Sequence, residues 1–284
     1  MTFPLHLTYA GHATVLIGMD GVRLLADPVL LDSIGPLRRQ MSAPNPAEWA
    51  LDAVLISHAH QDHLHLPSLR LLGPEVHLIA PRGAGGLLQR QGFHHVEELR
   101  VGETAAVGDL WITATPAAHS NSRLPFGPTV ECLGYVIGGS RQVYFAGDTD
   151  LFPEMIAIGR DLDVALLPVW GWGPRLGSGH MDPLRAAQSL TLLRPRVTIP
   201  IHWGTFCPVG TGWMEFLCRP PHAFAEYAAE LAPQVEICIL EPGQSCYPIT
   251  AHPFSRPGER EPRRPAWMHL GRRAWQALKF YTAG

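Results

Sequence analysis

Residues 58 to 63 read His-Ala-His-Gln-Asp-His and put three imidazoles and a carboxylate into six positions. Imidazole nitrogens and carboxylate oxygens are the side-chain donors that hold divalent transition metals, and zinc takes about four of them. The motif directly follows Ala53-Val54-Leu55-Ile56-Ser57. A short apolar run of this kind reads as a buried strand. His58, His60, Asp62 and His63 would then sit on the loop leaving its C-terminal end. In open sheets covered by helices, that edge is where ligands bind.

Three more candidates stand in matching places. His119 follows Leu110–Pro116, Asp148 follows Val143–Gly147, and His202 follows Val197–Ile201. Taken singly, each would be an ordinary residue at a strand end. Taken with the first cluster, they supply enough donors for two cations. Paired metals about 3.5–4 Å apart can share a hydroxide that is nucleophilic at neutral pH. Ligand imidazoles must be neutral, so affinity should fall in acid.

The order HxHxDH, His, Gly-Asp-Thr, Ile-His-Trp-Gly-Thr-Phe resembles the metallo-β-lactamase-fold hydrolases. Gly179-His180-Met181-Asp182-Pro183 with Ile201–Phe206 is similar to one branch of them. That branch holds the ascorbate-phosphate lactonase-like proteins and the N-acyl-phosphatidylethanolamine phospholipase D type. Gly11–Ile17 and Leu25–Leu30 look like the same branch, and the resemblance spans about residues 5 to 245. It implies an α/β (α+β) fold, the four-layer αββα sandwich. It also implies one metal on His58, His60 and His119, and a second on Asp62, His63 and His202, with Asp148 bridging. Asp62 and His180 become the catalytic candidates. The branch often has a tryptophan after the third-motif histidine, where this chain has Ser120 and Asn121.

Asp27 ends an apolar run before Pro28, where it is either a turn residue or the acceptor that orients a ligand imidazole. His180 is either a loop histidine or a contact to substrate. His12 reads as structural, within a strand-like stretch. Two loops are expected to shape the pocket. Residues 169–179 offer Trp170 and Trp172 as apolar walls and Arg175 as a grip for an anion. Residues 31–49 carry Arg38, Arg39 and Trp49.

The elements that position these groups can be sketched from periodicity. Strands are expected at 5–9, 13–18, 22–26, 53–57, 76–80, 110–115, 132–138, 142–146, 164–168, 197–201 and 235–240. Helices are expected at 67–72, 84–91, 153–159, 183–193 and 222–231, with Asp182-Pro183 as an N-cap and first-turn proline. Two strand-rich halves, 5–146 and 164–240, suggest two packed sheets. Residues 1–250 form the expected hydrolase domain.

Residues 251–284 differ: seven Arg or Lys against two Glu make +5, leaving -8 for residues 1–250 out of a total of -3. Trp267, Leu270, Ala274, Leu278 and Tyr281 fall there at helical spacing. Such a basic amphipathic helix docks on the domain, on a second subunit of a homo-oligomer, or peripherally on a membrane.

A net charge of -3 argues against a nucleic-acid binder, and no apolar run is long enough for a transmembrane span. Met1-Thr2-Phe3-Pro4 carries neither a basic region nor an apolar signal core, so no signal peptide is expected. Five cysteines without CxxC spacing suggest neither disulfides nor thiol–zinc sites, and hence the cytoplasm. The expected activity is hydrolysis of an ester, lactone or phosphodiester in an anionic small molecule or lipid. The expected cofactors are two divalent ions, zinc first and manganese second. A phospholipase D-type lipid phosphodiesterase is a narrower version. An oxygen-using oxidoreductase on this scaffold is the alternative of another class, but such di-iron sites typically carry a carboxylate in the first motif, where this chain has His60.

Overall fold

Alternation of side chains builds the first sheet. In strands β1 (His6–Gly11), β2 (Thr14–Met19) and β3 (Val22–Ala26), Leu7, Tyr9, Val15, Ile17 and Leu24 point to one face, and Leu16 and Leu25 to the other. A strand turns successive side chains to opposite faces. The first group joins the main core and the second packs under helices. The computed structural model describes residues 4–119, 130–171, 176–208 and 214–249.

Beyond β3 come β4 (Ser33–Ile34), β5 (Leu37–Arg39) and β6 (Ala53–Leu55), then helix α1 (Leu66–Leu72) and β7 (Leu78–Pro81). Helix α2 (Gly85–Arg90), β8 (Val96–Leu99), β9 (Thr104–Val107), β10 (Leu110–Pro116), β11 (Leu133–Gly138) and β12 (Gln142–Phe145) follow. The chain continues through α3 (Met155–Ile158), β13 (Val164–Pro168), α4 (Pro183–Leu193), β14 (Val197–Ile201) and β15 (Phe206–Pro208). It closes with α5 (Met214–Leu231), β16 (Glu236–Ile237) and β17 (Ser245–Cys246).

One sheet has the order β17-β1-β2-β3-β6-β7-β8 and the other β16-β14-β13-β12-β11-β10-β9. Their facing residues merge in one core, with Tyr9, Ile17 and Leu55 from the first sheet and Ile112, Tyr135 and Phe145 from the second. Each such large side chain, fully buried, contributes about 1.5–3 kcal/mol. Leu69 of α1 and Leu88 of α2 cover the outer face of the first sheet with Val54, Ile56 and Leu78. Leu190 of α4 and Phe224 of α5 pack on the second. The result is the expected four-layer αββα sandwich.

The division between the sheets corrects the expectation from strand-rich halves. The switch falls between β8 and β9, at a turn where Glu103 N–H donates to Arg100 O at 2.9 Å. The break at 146–164 is instead a crossover through α3, which lets β12 and β13 pair in parallel. Parallel neighbours need such a long connection.

Helix α4 starts as expected: Asp182 accepts from Arg185 N–H, and Pro183 opens the first turn. Helix α5 starts at Met214 rather than at residue 222 and runs through Pro220 and Pro221. Each proline lacks the N–H that would bond the carbonyl four residues back, so helical periodicity alone placed its start after them. No helix among the described residues is long and apolar enough to cross a membrane. Trp172, Arg175, Ser120, Asn121 and the tail 251–284 lie outside the described residues.

Candidate metal centre

Strands β3, β6, β10, β12 and β14 all deliver polar residues to one end of the sandwich. His58 leaves β6, His119 leaves β10, Asp148 leaves β12 and His202 leaves β14. Asp27 leaves β3.

Asp27 organises the first loop. Ser57 N–H donates to its Oδ1 at 2.7 Å, and Ser57 Oγ–H donates to its Oδ2 at 2.5 Å. His63 Nδ1–H donates to the same Oδ2 at 2.7 Å. Since the Ser57 hydroxyl proton is committed to Asp27, Ser57 Oγ accepts from His58 Nδ1–H, at 2.9 Å. These bonds place a proton on Nδ1 of both rings and turn each Nε2 toward the cluster; His58, held neutral, presents a bare Nε2. His119 is fixed likewise, with Nδ1–H donating to Gly179 O at 2.8 Å. Gly179 has φ +86, and a Cβ there would stand 2.9 Å from His119 Nδ1. Only glycine lets this carbonyl come so close.

The bare His58 Nε2 lies 2.9 Å from His60 Nδ1, and the bare His119 Nε2 lies 3.1 Å from the same atom. One proton on His60 cannot satisfy both lone pairs. A cation among the three nitrogens satisfies all of them. The second group converges on two carboxylates. His63 Nε2 is 3.2 Å from Asp148 Oδ2 and 3.6 Å from Asp62 Oδ2. His202 Nε2 is 3.2 Å from Asp148 Oδ1 and 3.9 Å from Asp62 Oδ2. His58 Nε2 lies 4.0 Å from Asp148 Oδ2, so Asp148 stands between the groups. His63 Nε2 and Asp148 Oδ1 are buried and have no hydrogen-bond partner among the described residues. Buried polar atoms of this kind need a partner, and a cation fits both.

Electrostatics match that fit. Burial holds His58 well below its ordinary pKa, His202 below it, and His119 at about 4. Burial works against ionisation of Asp148, yet His202 and His63 hold its carboxyl well below the usual range. Asp62 behaves alike beside His63 and His12. Neutral imidazoles beside ionised carboxylates are what metal binding requires. For His63, burial favours the neutral form, but Asp148, Asp62 and Asp27 together raise it well above 6.5. A divalent cation at that position would supply the same positive charge.

His180 reaches the centre from the loop before α4. Its Nε2 is 3.4 Å from Asp148 Oδ2, and this contact raises its pKa. Its ligating atom also lies within 4.8 Å of donors on His119 and Asp148. His180 and Trp170 line a cleft of about 570 Å³ together with Leu176, Phe216, Arg219 and Pro220. Trp170 meets Phe216 edge-on at 5.1 Å.

In the loop 31–49, Arg39 is not free to meet a substrate, whereas Arg38 is exposed. Arg39 is buried, donates to Ala10 O and Val29 O at 3.1 and 2.5 Å, and stacks over Phe206 at 4.7 Å. Its guanidinium ties β5 and β15 to the first sheet, which satisfies carbonyls that the short strands leave over. Trp49 packs with the helices over the first sheet. His12 is the residue that strand periodicity misplaces. It occupies the turn between β1 and β2, at φ 56, and its Nε2 is 3.1 Å from Asp62 Oδ2. The signal available was Gly11-His12, a turn pair between two apolar runs.

A two-sheet sandwich with this set of donors at one edge defines a class, and the comparisons agree with it. A model for the Beta-lactamase superfamily domain matches residues 22–203. The chain belongs to that superfamily, among its metal-dependent hydrolases. A Methanopyrus kandleri protein named a metal-dependent hydrolase is 36% identical over 85% of this chain and 99% of its own. A Caenorhabditis elegans N-acyl-phosphatidylethanolamine-hydrolyzing phospholipase D is 33% identical over 73% of this chain and 65% of its own. The solved structure of Igni18, a metallo hydrolase from Ignicoccus hospitalis, superposes with a TM-score of 0.67 at 29% identity, covering 86% of this chain and 98% of that one.

Proposed function

We propose that the chain is a two-metal hydrolase acting on an ester, lactone or phosphodiester. The reading rests on one observation: the bare Nε2 atoms of His58 and His119 converge on His60 Nδ1, while His63, His202 and Asp62 converge on the other side of Asp148. Under this reading His58, His60 and His119 hold one divalent ion, and Asp62, His63 and His202 hold a second, with Asp148 shared. Two ions there would supply a water acidic enough to ionise near neutral pH and positive charge for an oxyanion. Nitrogen and oxygen donors without thiolate suit zinc first and manganese second.

The chain's own groups do the rest. Asp27 holds the tautomers of His58 and His63. Asp62 accepts the proton of the nucleophile or orients it. His180, partly exposed on the cleft and kept basic by Asp148, delivers a proton to the leaving group. Trp170, Phe216, Leu176 and Pro220 receive the apolar part of the substrate.

A lipid phosphodiester is the narrower reading. It is favoured by the similarity to the C. elegans enzyme and by the apolar wall of the cleft. Residues 251–284 would then serve as a basic element appended to a hydrolase domain of residues 1–250.

The test is a hydrolysis screen with the full chain on esters, lactones and phosphodiesters, before and after chelation. Activity lost to the chelator and restored by zinc or manganese is expected. Hydrolysis indifferent to chelation would overturn the reading.

A further inference from the structure

Among the described residues, His12 meets the Asp62 side of the metal centre. Its Nε2 lies 3.1 Å from Asp62 Oδ2. Its ring centroid is 3.9 Å from that of His202 and 5.4 Å from that of His63. Its backbone reaches the same side: His202 N–H donates to His12 O at 2.7 Å, and His12 N–H donates to Thr205 Oγ1 at 2.6 Å. Every one of these contacts goes to Asp62, His63 or the segment 202–205. The span of the superfamily match, residues 22–203, leaves His12 outside.

The backbone there is unusual in the same way at both ends of the bond. His12 sits at φ 56 and His202 at φ 65, although neither is glycine. Left-handed backbone is strained at a non-glycine residue and persists where surroundings over-determine it. Here the two strained residues hold each other through the His202 N–H to His12 O bond. The ring of His12 is buried, 3 % exposed, so its Nε2 does not trade Asp62 for water.

We propose that His12 is a positioning residue for the second metal site: its Nε2–H donates to Asp62 Oδ2 and fixes the orientation of that carboxylate beside His63 and His202. The carboxylate then has one settled orientation before the metal arrives. His58, His60 and His119 receive no such support from His12, so its removal weakens one site and spares the other. The proposal rests on the two-metal reading and adds a residue to it.

The test uses the full chain, stripped of metal and titrated with zinc against a chromogenic chelator, with three variants. His12→Phe keeps the ring volume and removes the donor. His12→Gln keeps an N–H donor on a flexible arm. His12→Ala removes both. Circular dichroism of the stripped proteins confirms that each variant is folded. Wild type should bind two ions. His12→Phe and His12→Ala should weaken one of them about 10- to 100-fold, the usual size of a lost support around a metal ligand, and leave the other unchanged. His12→Gln should restore that ion to within a few-fold. If His12→Phe binds both ions as wild type does, His12 only fills space and the proposal fails. If His12→Gln loses the ion as completely as His12→Ala, His12 is itself a ligand and the proposal also fails. A wild-type chain that binds one ion would overturn the two-metal reading and this assignment with it. Two ions in wild type with any failing variant pattern would overturn the role of His12 alone.

Discussion

His58, His60 and His119 make a cluster of three imidazoles, whereas Asp62, His63 and His202 bring a carboxylate and two imidazoles to its neighbour. The first cluster is oriented by uncharged acceptors, Ser57 Oγ and Gly179 O. His60 and His119 in it are partly exposed. The second is oriented by charge and by strained backbone: Asp27 fixes His63, and His202 holds a positive φ. His63 and His202 are buried. Buried charge acts more strongly than exposed charge, because water screens it less. The comparison teaches that one motif of six residues feeds two clusters of different character.

Asp148 belongs to both clusters, so its loss should be the largest. Asp148→Ala should lose at least one ion and bring hydrolysis down to background, measured by elemental analysis and a chelator-sensitive assay. An Asp148→Ala protein with full metal content and normal turnover would break the idea that the clusters share a carboxylate.

His180 belongs to neither in the reading above. His180→Ala should keep both ions and lose about 10²–10⁴-fold in rate, the range for an acid–base group. Its ligating atom does approach those of His119 and Asp148, so the outcome is sharp. Loss of metal in parallel with His202→Ala would make His180 a ligand.

Asp27 supports both clusters, His63 directly and His58 through Ser57. Asp27→Asn keeps the volume and tolerates the positive φ of 39, but it removes the charge and turns one acceptor into a donor. Affinity should fall about 10–100-fold at both sites, read by competition with a chelator. A loss confined to one site would show that the serine link to His58 is dispensable.

Acid should separate the two sites by the smallest margin. His63 is held well above its ordinary value by Asp148, Asp62 and Asp27, so a proton competes with the cation there sooner than at His119. His119 is held at about 4, so it resists protons until the solution is far more acidic. Dialysis at falling pH should therefore release the ion on His63 first. Release of both ions in one step would remove the distinction.

Much of this centre is legible in the sequence, because its donors follow apolar runs that announce strands. His58, His60, Asp62 and His63 are consecutive enough to signal themselves, and His119, Asp148 and His202 each close a strand. Asp27 is marked by the proline after it. His12 escapes although it falls in the gap between the strands expected at 5–9 and 13–18: a turn pair carries no sign of what it faces, and the pairing of β1 with β2 sets its place. Shortness hides β4 and β17, two residues each, whereas β16 falls inside the strand expected at 235–240. Their pairing comes from the sheet edge rather than from side-chain alternation. The sheet boundary at β8–β9 is illegible because hydrogen-bond partners at long range decide it, not local pattern.

The central claim is that two adjoining clusters hold two cations. Elemental analysis of the full chain purified without added metal or chelator tests it most directly. The account predicts about two divalent transition-metal ions per chain, falling to one or none in Asp148→Ala. A natively purified chain that carries no transition metal, and takes up none from zinc or manganese solutions, would contradict it.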